Sequence, residues 1–238
     1  MKRVEDLTVK LFADGAEKAG MLEMYAKPYI KGFTTNPTLM HKAGLTDYRG
    51  FAKSIVEVIP DRPISFEVFS DEFDEMERQA HEIAGWGENV YVKVPITNTE
   101  GTSSLDLVRR LSHEGVKLNV TALMTGAQVE GSAAALEGGA PAFVSVFAGR
   151  IADAGVDPLP IMVAALDSLR PLADVELIWA SPREVLNIVQ ADQIGCHIIT
   201  VTHDLLAKLH LLGRDLDEFS LDTVRMFHQD ASAAGFTL

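Results

Sequence analysis

The sequence is poor in cysteine and in basic residues, and each shortage excludes a class of protein. Cys196 is the only cysteine, so no disulfide can form within the chain, and a reducing cytoplasm is the expected setting. The 21 Lys and Arg residues face 34 Asp and Glu residues, which gives a formal net charge of −13. This balance argues against a nucleic-acid partner, because phosphate backbones are bound by clustered basic side chains.

Long apolar runs and familiar binding motifs are also missing. No stretch reaches the roughly 18 apolar residues of a membrane span, and the first residues lack the apolar core of a signal peptide. There is no G-x-G-x-x-G and no P-loop. The seven histidines form neither H-x-H nor H-E-x-x-H, so we predict no metal site and interpret His203 and His210 as surface residues.

Eight short segments rich in β-branched and aromatic residues recur along the chain, and segments with helical periodicity separate them. The candidate strands lie at 9–14, 30–35, 63–69, 90–95, 116–122, 142–148, 175–181 and 196–201. Dividing 238 residues by eight gives about 30, the size of a βα repeat. We therefore predict an α/β fold, one (β/α)₈ TIM barrel over residues 1–238. The alternative is an open doubly wound sheet, although DGAEKAG lacks its glycine-rich turn.

The C-terminal part, residues 213–238, is predicted to be a helical extension of that barrel. Residues 216–235 place Leu221, Val224 and Phe227 on one face of a last helix. Packing of this face on its own barrel is the simpler interpretation, and docking on a neighbouring subunit is the alternative.

Polar side chains fall on the inward side of most candidate strands. Side chains of a barrel strand alternate between the interior and the helix layer, and catalytic groups sit near the carboxyl ends. The inward set near these ends is Asp14, Glu67, Lys93, Asn119, Thr121, Ser145 and Phe147. A purely structural interior favours branched apolar residues, so this pattern indicates chemistry.

Lys93 is the most informative of these residues, because an amine flanked by valines is costly to bury as a cation. A neutral amine can attack a carbonyl to form a Schiff base. The alternative is an unreactive lysine neutralised by Asp14 or Glu67. Either acid is equally compatible with proton transfer and with ion pairing. Thr121 either orients a water molecule or is an ordinary strand threonine.

Further candidates follow other strands. Asn36 either caps the helix that follows it or binds a substrate, and the sequence alone favours the cap. Arg150 and Arg183 either bind a phosphate group or form surface salt bridges. Ser181 precedes a predicted helix N-terminus at Pro182, which would add backbone N–H groups to a phosphate site.

An ordered set of motifs connects these residues to a known family. The motifs are FADG (12–15), GFTTNPT (32–38), VYVKVPIT (90–97), EGVKLNVTA (114–122), VSVFAGRI (144–151), WASPREVL (179–186) and GCHIITV (195–201). At these spacings the chain resembles the transaldolase family, in particular its short branch, which also holds fructose-6-phosphate aldolases. The resemblance runs from residue 11 to about residue 212.

The resemblance implies a role for each candidate. It implies that Lys93 forms the Schiff base, that Asp14 is an acid/base, and that Glu67 and Thr121 hold a catalytic water. It implies a substrate-binding set of Asn36, Ser145, Phe147, Arg150, Ser181 and Arg183. It further implies sugar phosphates as substrates, no metal or organic cofactor, no membrane partner, and a homo-oligomer.

Two positions separate the activities within the resemblance. Fructose-6-phosphate aldolases are expected to have glutamine and tyrosine where this chain has Glu67 and Phe147. The chain therefore resembles a transaldolase, which transfers a dihydroxyacetone unit from a ketose phosphate, such as fructose 6-phosphate or sedoheptulose 7-phosphate, to an aldose phosphate. The alternatives are an aldolase that releases dihydroxyacetone and a non-catalytic barrel that acts as a binding subunit.

Overall fold

The computed structural model describes residues 3–237, and its eight strands close in chain order into one parallel barrel. The strands are β1 (Lys10–Asp14), β2 (Ile30–Thr34), β3 (Ile64–Glu67), β4 (Val90–Pro95), β5 (Leu118–Leu123), β6 (Ala142–Val146), β7 (Val175–Trp179) and β8 (Ile198–Thr202). The predicted TIM barrel is confirmed, and the open doubly wound sheet is wrong. The predicted domain also includes residues 1, 2 and 238, which lie outside the described residues.

Helices connect the strands and cover the outside of the barrel. They are α1 (Lys18–Tyr25), α2 (Pro37–Lys42), α3 (Tyr48–Val58), α4 (Phe73–Ala84), α5 (Leu105–His113), α6 (Gly126–Leu136), α7 (Ala148–Asp153), α8 (Leu159–Leu169), α9 (Val185–Gln193), α10 (His203–Leu206) and α11 (Leu216–Ala233). Short 3₁₀ helices occupy Val4–Asp6 and Ala207–Leu211. In the described range, no helix combines the length and apolar character needed to cross a membrane.

The main core lies between the barrel and its helices, and strand alternation builds it. Val92 and Val94 of β4 and Val120 of β5 are fully buried in this layer. Their neighbours Lys93 and Asn119 lie on the opposite side of the strands and point into the barrel. The predicted alternation of outward valines and inward polar groups is therefore present in the structure.

An apolar layer fills the barrel below these polar groups. The rings of Tyr91 and Phe143 stack with centroids 4.0 Å apart, and Phe12 meets Phe143 edge-on at 5.7 Å. Ile178 and Ile198 complete the same cluster. This floor occupies the amino-terminal half of the interior, so the polar side chains above it face the carboxyl ends of the strands.

Helix α11 differs from the expectation that it packs on its own barrel. None of its described residues is buried, and Val224 and Phe227 are 60% and 62% exposed. Leu205, Leu206 and Leu209, which follow β8, are buried in the helix layer instead. Because α10 and the second 3₁₀ helix already fill that place, the packing predicted for α11 is wrong.

Candidate active site

A cavity of about 510 Å³ lies at the carboxyl ends of the strands. All ten side chains selected from the sequence line it, namely Asp14, Asn36, Glu67, Lys93, Thr121, Ser145, Phe147, Arg150, Ser181 and Arg183. A closed barrel brings together residues that are far apart in the chain, because all eight strand ends surround one rim. The fold brings these ten side chains together around one cavity, and the role of each residue stays a prediction.

Lys93 lies near the centre of β4 and is only 6% exposed. Its Nζ lies 3.0 Å from Glu67 Oε2 and donates to the carbonyl oxygen of Thr35 at 2.9 Å. Strands β3 and β4 pair Glu67 with Lys93 in register, which makes the two side chains neighbours. The ion pair considered as the alternative to catalysis is present, and the same contact puts a proton acceptor beside the amine.

Asp14 ends β1 and holds its carboxylate against a chain of hydroxyl groups. Thr34 Oγ1 donates to Asp14 Oδ1 at 2.7 Å, and Thr34 Oγ1 in turn lies 2.5 Å from Thr200 Oγ1. Enclosure by protein raises the pKa of Asp14, while the charge of Lys93 and the Thr34 hydrogen bond act in the opposite direction. A carboxyl group in such a position is suited to proton transfer nearer neutral pH.

Asn36 uses both ends of its side-chain amide. Its Oδ1 accepts a hydrogen bond from the backbone N–H of Leu39 at 2.9 Å, which confirms the predicted cap of α2. Its Nδ2 lies 3.5 Å from Asp14 Oδ2. The cap therefore directs the NH₂ group toward Asp14 and the cavity, so the two interpretations of Asn36 are compatible.

A row of polar side chains crosses the barrel under the cavity. Ser145 Oγ donates to Asn119 Oδ1 at 2.7 Å, and Asn119 Nδ2 donates to Ser65 Oγ at 3.0 Å. All three residues are buried. The row links β6, β5 and β3 and fixes the orientation of the Ser145 hydroxyl at the cavity surface.

Thr121 presents a buried hydroxyl that finds no hydrogen-bond partner among the described residues. The next residue, Ala122, has a φ of 66°, and the pairing of β5 with β6 shifts at this point. Such a bulge turns a side chain away from the regular strand direction. An unpaired hydroxyl lining a polar cavity is available to a water molecule or a ligand.

The two arginines lie at the exposed rim of the cavity. Arg183 Nε donates to Asp153 Oδ1 at 3.0 Å, and a second guanidinium nitrogen also contacts this carboxylate. The surface salt bridge considered for Arg183 is thus present. Arg150 lines the same cavity from α7. Together they supply positive charge on the side of the cavity formed by β6 and β7.

The expected helix start at Pro182 is wrong. Helix α9 begins at Val185, and the residue at its N-cap is the acidic Glu184. Asn187 Oδ1 accepts hydrogen bonds from the backbone N–H groups of Arg183 and Glu184, so these donors are already used. A φ of 61° at Ser181 turns the chain away from a helical path before α9 can start.

The strained Ser181 packs against a glycine that has no room for a side chain. A Cβ atom built on Gly149 would lie 1.6 Å from the carbonyl oxygen of Ser181. This contact is between two backbones, so it cannot be relieved by rotating a side chain. Gly149 therefore allows α7, which carries Arg150, to approach the loop that carries Arg183.

The surface interpretation of His203 is wrong. Its Nε2 is buried without a hydrogen-bond partner in the described part of the chain, and its ring packs so closely on Gly20 that a Cβ there would lie 2.7 Å from Nδ1. Burial lowers the pKa of His203, and the carboxylate of Asp14 opposes the shift. His210 is exposed as expected, with Nδ1 2.7 Å from the carbonyl oxygen of Ala207.

Four threonines that line the cavity were not predicted from the sequence, namely Thr34, Thr38, Thr200 and Thr202. The alternation rule could have identified Thr200, because Ile199 and Val201 on either side of it face the helices. Thr34 alternates in the same way with the buried Phe33. The sequence gives no comparable signal for Tyr48, whose hydroxyl contacts the backbone of Glu67 from α3.

Comparison with known proteins identifies the family of this chain. A family model described as transaldolase/fructose-6-phosphate aldolase matches residues 11–238. The chain belongs to this family. A probable transaldolase of Dehalococcoides mccartyi is 35% identical over 202 residues, covering 84% of this chain and 90% of that protein. One of Thermoanaerobacter sp. is 36% identical and covers 84% and 89% of the two chains.

Family membership makes the chain an enzyme of the transaldolase/aldolase type. Among solved structures, 2,3-dimethylmalate lyase superposes with a TM-score of 0.53 at 15% identity, covering 98% of this chain and 86% of that one. At that identity the likeness concerns only the barrel. The choice between transaldolase and aldolase must therefore be argued from the site itself.

Proposed function

We propose that the enzyme is a transaldolase that transfers a dihydroxyacetone unit between sugar phosphates through an imine on Lys93. The observation that carries the proposal is the 3.0 Å contact between Lys93 Nζ and Glu67 in a cavity lined by the whole predicted set. A buried amine beside a carboxylate can form an imine, with the carboxylate moving the protons that each step requires.

The chemistry begins when the Lys93 amine attacks the C2 carbonyl of a ketose phosphate and water leaves. Glu67 then removes the C4 hydroxyl proton through a water held by Thr121. The C3–C4 bond breaks, the aldose phosphate departs with a new carbonyl group, and the electron pair of the broken bond is held as an enamine on Lys93. Because the iminium ion is the electron sink, these steps require no metal or organic cofactor.

The second half returns the three-carbon unit to another aldehyde. Carbon C3 of the enamine attacks the carbonyl carbon of an aldose phosphate, whose oxygen takes up a proton. Water then releases the new ketose phosphate from Lys93. Asp14 and Asn36, joined across 3.5 Å, are placed to bind the hydroxyl groups of the three-carbon unit while the acceptor exchanges.

The choice of transaldolase over aldolase depends on Glu67 and Phe147. An aldolase must protonate its enamine at C3 and hydrolyse the resulting iminium ion, whereas a transaldolase must keep the enamine until an acceptor arrives. Glu67 is ion-paired with Lys93, and Phe147 offers no hydroxyl at the cavity wall that could protonate the enamine. These features support transfer over release.

Acceptor dependence tests this choice. The purified enzyme is supplied with fructose 6-phosphate, and glyceraldehyde 3-phosphate, free dihydroxyacetone and sedoheptulose 7-phosphate are measured with and without erythrose 4-phosphate. We expect turnover only with the acceptor and sedoheptulose 7-phosphate as a product. Free dihydroxyacetone formed at the same rate without the acceptor would assign the enzyme as an aldolase.

Arg183 is expected to bind the phosphate group. We predict that Arg183→Ala raises the KM for fructose 6-phosphate about tenfold, because it removes a charge-assisted hydrogen bond, and changes kcat less. Arg170→Ala is a matched control, since Arg170 also pairs with an exposed aspartate, Asp167, outside the cavity. Steady-state kinetics of both variants test the role, and an unchanged KM in Arg183→Ala would remove Arg183 from the phosphate site.

We also propose that a second copy of the chain covers α11, which makes the enzyme a homo-oligomer. The helix exposes large apolar side chains along its length: Leu216, Phe219, Leu221, Val224, Met226 and Phe227. A soluble monomer rarely leaves so extended an apolar surface uncovered. Association of identical chains is the simplest way to bury it.

A charge on this surface is expected to break the oligomer. We predict that Phe227→Asp sediments as a 25.9 kDa monomer with the circular dichroism of the original protein, because no described residue of α11 is buried against the barrel. Gln229→Asp, a change on the polar side of the same helix, is the control and should leave the mass unchanged. Light scattering showing a monomer before any substitution would contradict the proposal.

A further inference from the structure

Strand β3 is longer than the part of β2 that pairs with it. Pairing between the two strands matches Phe33 with Ile64 and Thr34 with Ser65, and the last backbone bond runs from the Thr35 N–H to the Ser65 carbonyl at 3.2 Å. Beyond that point the β2 chain turns into α2. Glu67, at the end of β3, therefore has no strand partner on its β2 side.

The backbone of Glu67 faces this gap. In a strand, the N–H and C=O groups of alternate residues point to the same side. Ser65 uses its carbonyl toward β2, whereas Val68 donates toward β4, to the carbonyl of Lys93 at 3.0 Å. Glu67 shares the side of Ser65, so both of its backbone groups would lack a partner if the gap were empty.

The hydroxyl of Tyr48 fills the gap. It accepts a hydrogen bond from the Glu67 N–H and donates one to the Glu67 carbonyl, each at 2.8 Å. Only a group that is both donor and acceptor can make this pair, and a phenylalanine ring cannot. Burial raises the pKa of the Tyr48 hydroxyl, so it remains protonated and able to donate.

Aromatic packing holds the Tyr48 ring independently of the hydroxyl. Tyr48, the first residue of α3, meets Phe66 edge-on at 6.3 Å and Phe69 edge-on at 5.6 Å, and it lies 5.6 Å from Trp86. These contacts do not require the oxygen atom. Removing only the oxygen should therefore leave the ring in place and release the Glu67 backbone.

We propose that Tyr48 is a positioning residue for Glu67. The Tyr48 hydroxyl takes the place of the missing strand and thereby holds the Glu67 carboxylate opposite Lys93. The role rests on the proposed function, because it matters for turnover only if Glu67 moves protons. A displacement of about 1 Å in such a group is enough to slow a proton-transfer step strongly.

Tyr48→Phe tests the proposal, with Tyr25→Phe as the matched control. The Tyr25 hydroxyl also makes a short hydrogen bond, 2.7 Å to Asp61, but on the surface and outside the cavity. For Tyr48→Phe we expect kcat to fall about tenfold with KM changed less than about twofold, because the substrate-binding groups are untouched. Tyr25→Phe should keep both constants. An unchanged kcat in Tyr48→Phe would overturn the proposal.

A double-mutant cycle separates positioning from a general loss of structure. If Tyr48 acts through the Glu67 side chain, Tyr48→Phe should not further lower the residual kcat of Glu67→Ala. If Tyr48→Phe also lowers the kcat of Glu67→Ala tenfold, Tyr48 acts through another group, and the proposal is overturned.

Borohydride trapping of a substrate adduct should persist in Tyr48→Phe. An unmodified protein that forms no adduct would instead refute the imine mechanism itself.

Amide hydrogen exchange tests the contact without any substitution, which keeps the proposal falsifiable if Tyr48→Phe does not fold. In the unmodified enzyme, the Glu67 amide should exchange as slowly as that of Val68, its neighbour bonded to β4. Fast exchange at Glu67 with protection at Val68 would show that the hydroxyl does not hold this backbone, and the proposal would fail.

Discussion

Replacing Lys93 with methionine is expected to abolish the trapped substrate adduct and to lower kcat by about 10⁴-fold or more, because the nucleophile itself is lost. Methionine preserves most of the volume of the buried side chain, so the strand should keep its packing. The measurement is borohydride reduction in the presence of fructose 6-phosphate, followed by intact mass and mapping of the modified peptide.

The control for this experiment is a lysine at the other end of a barrel strand. Lys117, just before β5, is half-buried and donates to the carbonyl oxygen of Glu88 at 2.7 Å, far from the cavity lining, so Lys117→Met should retain both adduct and turnover. An adduct that still forms in Lys93→Met would show that another amine of the protein forms the imine. Circular dichroism must show an unchanged fold, since Glu67 loses its ion-pair partner.

The strands and the inward candidates were predictable because both follow from one local rule. In β4 and β5, valines alternate with Lys93, Asn119 and Thr121, and a period of two assigns the faces without knowledge of the partners. The family resemblance then implied a role for each of those candidates. It added nothing about distances, which depend on how the strands pair.

The contacts within the site could not be predicted, because they depend on register and on loops. The pairing of Glu67 with Lys93 follows from the register between β3 and β4, which no local pattern encodes. The contact of Tyr48 with Glu67 joins residues 19 positions apart, at the start of α3 and at the end of β3. Because Ser181 adopts a left-handed turn, α9 begins only at Val185. The sequence suggested an earlier start at Pro182, because proline is common at the first helical position.

Helix α11 shows a different limit. The sequence predicted a helix with an apolar face, but amphipathicity does not say what covers such a face. The answer depended on whether another segment already occupied the helix layer after β8. Leu205, Leu206 and Leu209 do so, which leaves the face of α11 open.

Asp14→Asn is expected to stabilise the protein while removing most of its activity. Burial raises the pKa of Asp14, so the carboxyl favours stability below its ordinary pKa of 3.8 and loses that contribution as the pH rises through the folded value. At neutral pH the ionised group therefore opposes folding, and the uncharged amide does not. We expect a gain of about 1 kcal/mol in the free energy of unfolding at pH 7 and a kcat lower by about 10²–10⁴-fold.

Asp61→Asn provides the opposite case. The hydrogen bond from Tyr25 lowers the pKa of this exposed carboxyl, so its ionised form favours folding, and its substitution should leave kcat unchanged without any gain in stability. Urea unfolding of both variants is compared at pH 7 and at the lowest pH where the proteins stay folded. The gain for Asp14→Asn should shrink toward acid pH, where the original carboxyl is also neutral. A gain in the free energy of unfolding that is independent of pH would show that the charge of Asp14 does not oppose folding. Turnover equal to that of the unmodified enzyme would show that Asp14 takes no part in the reaction.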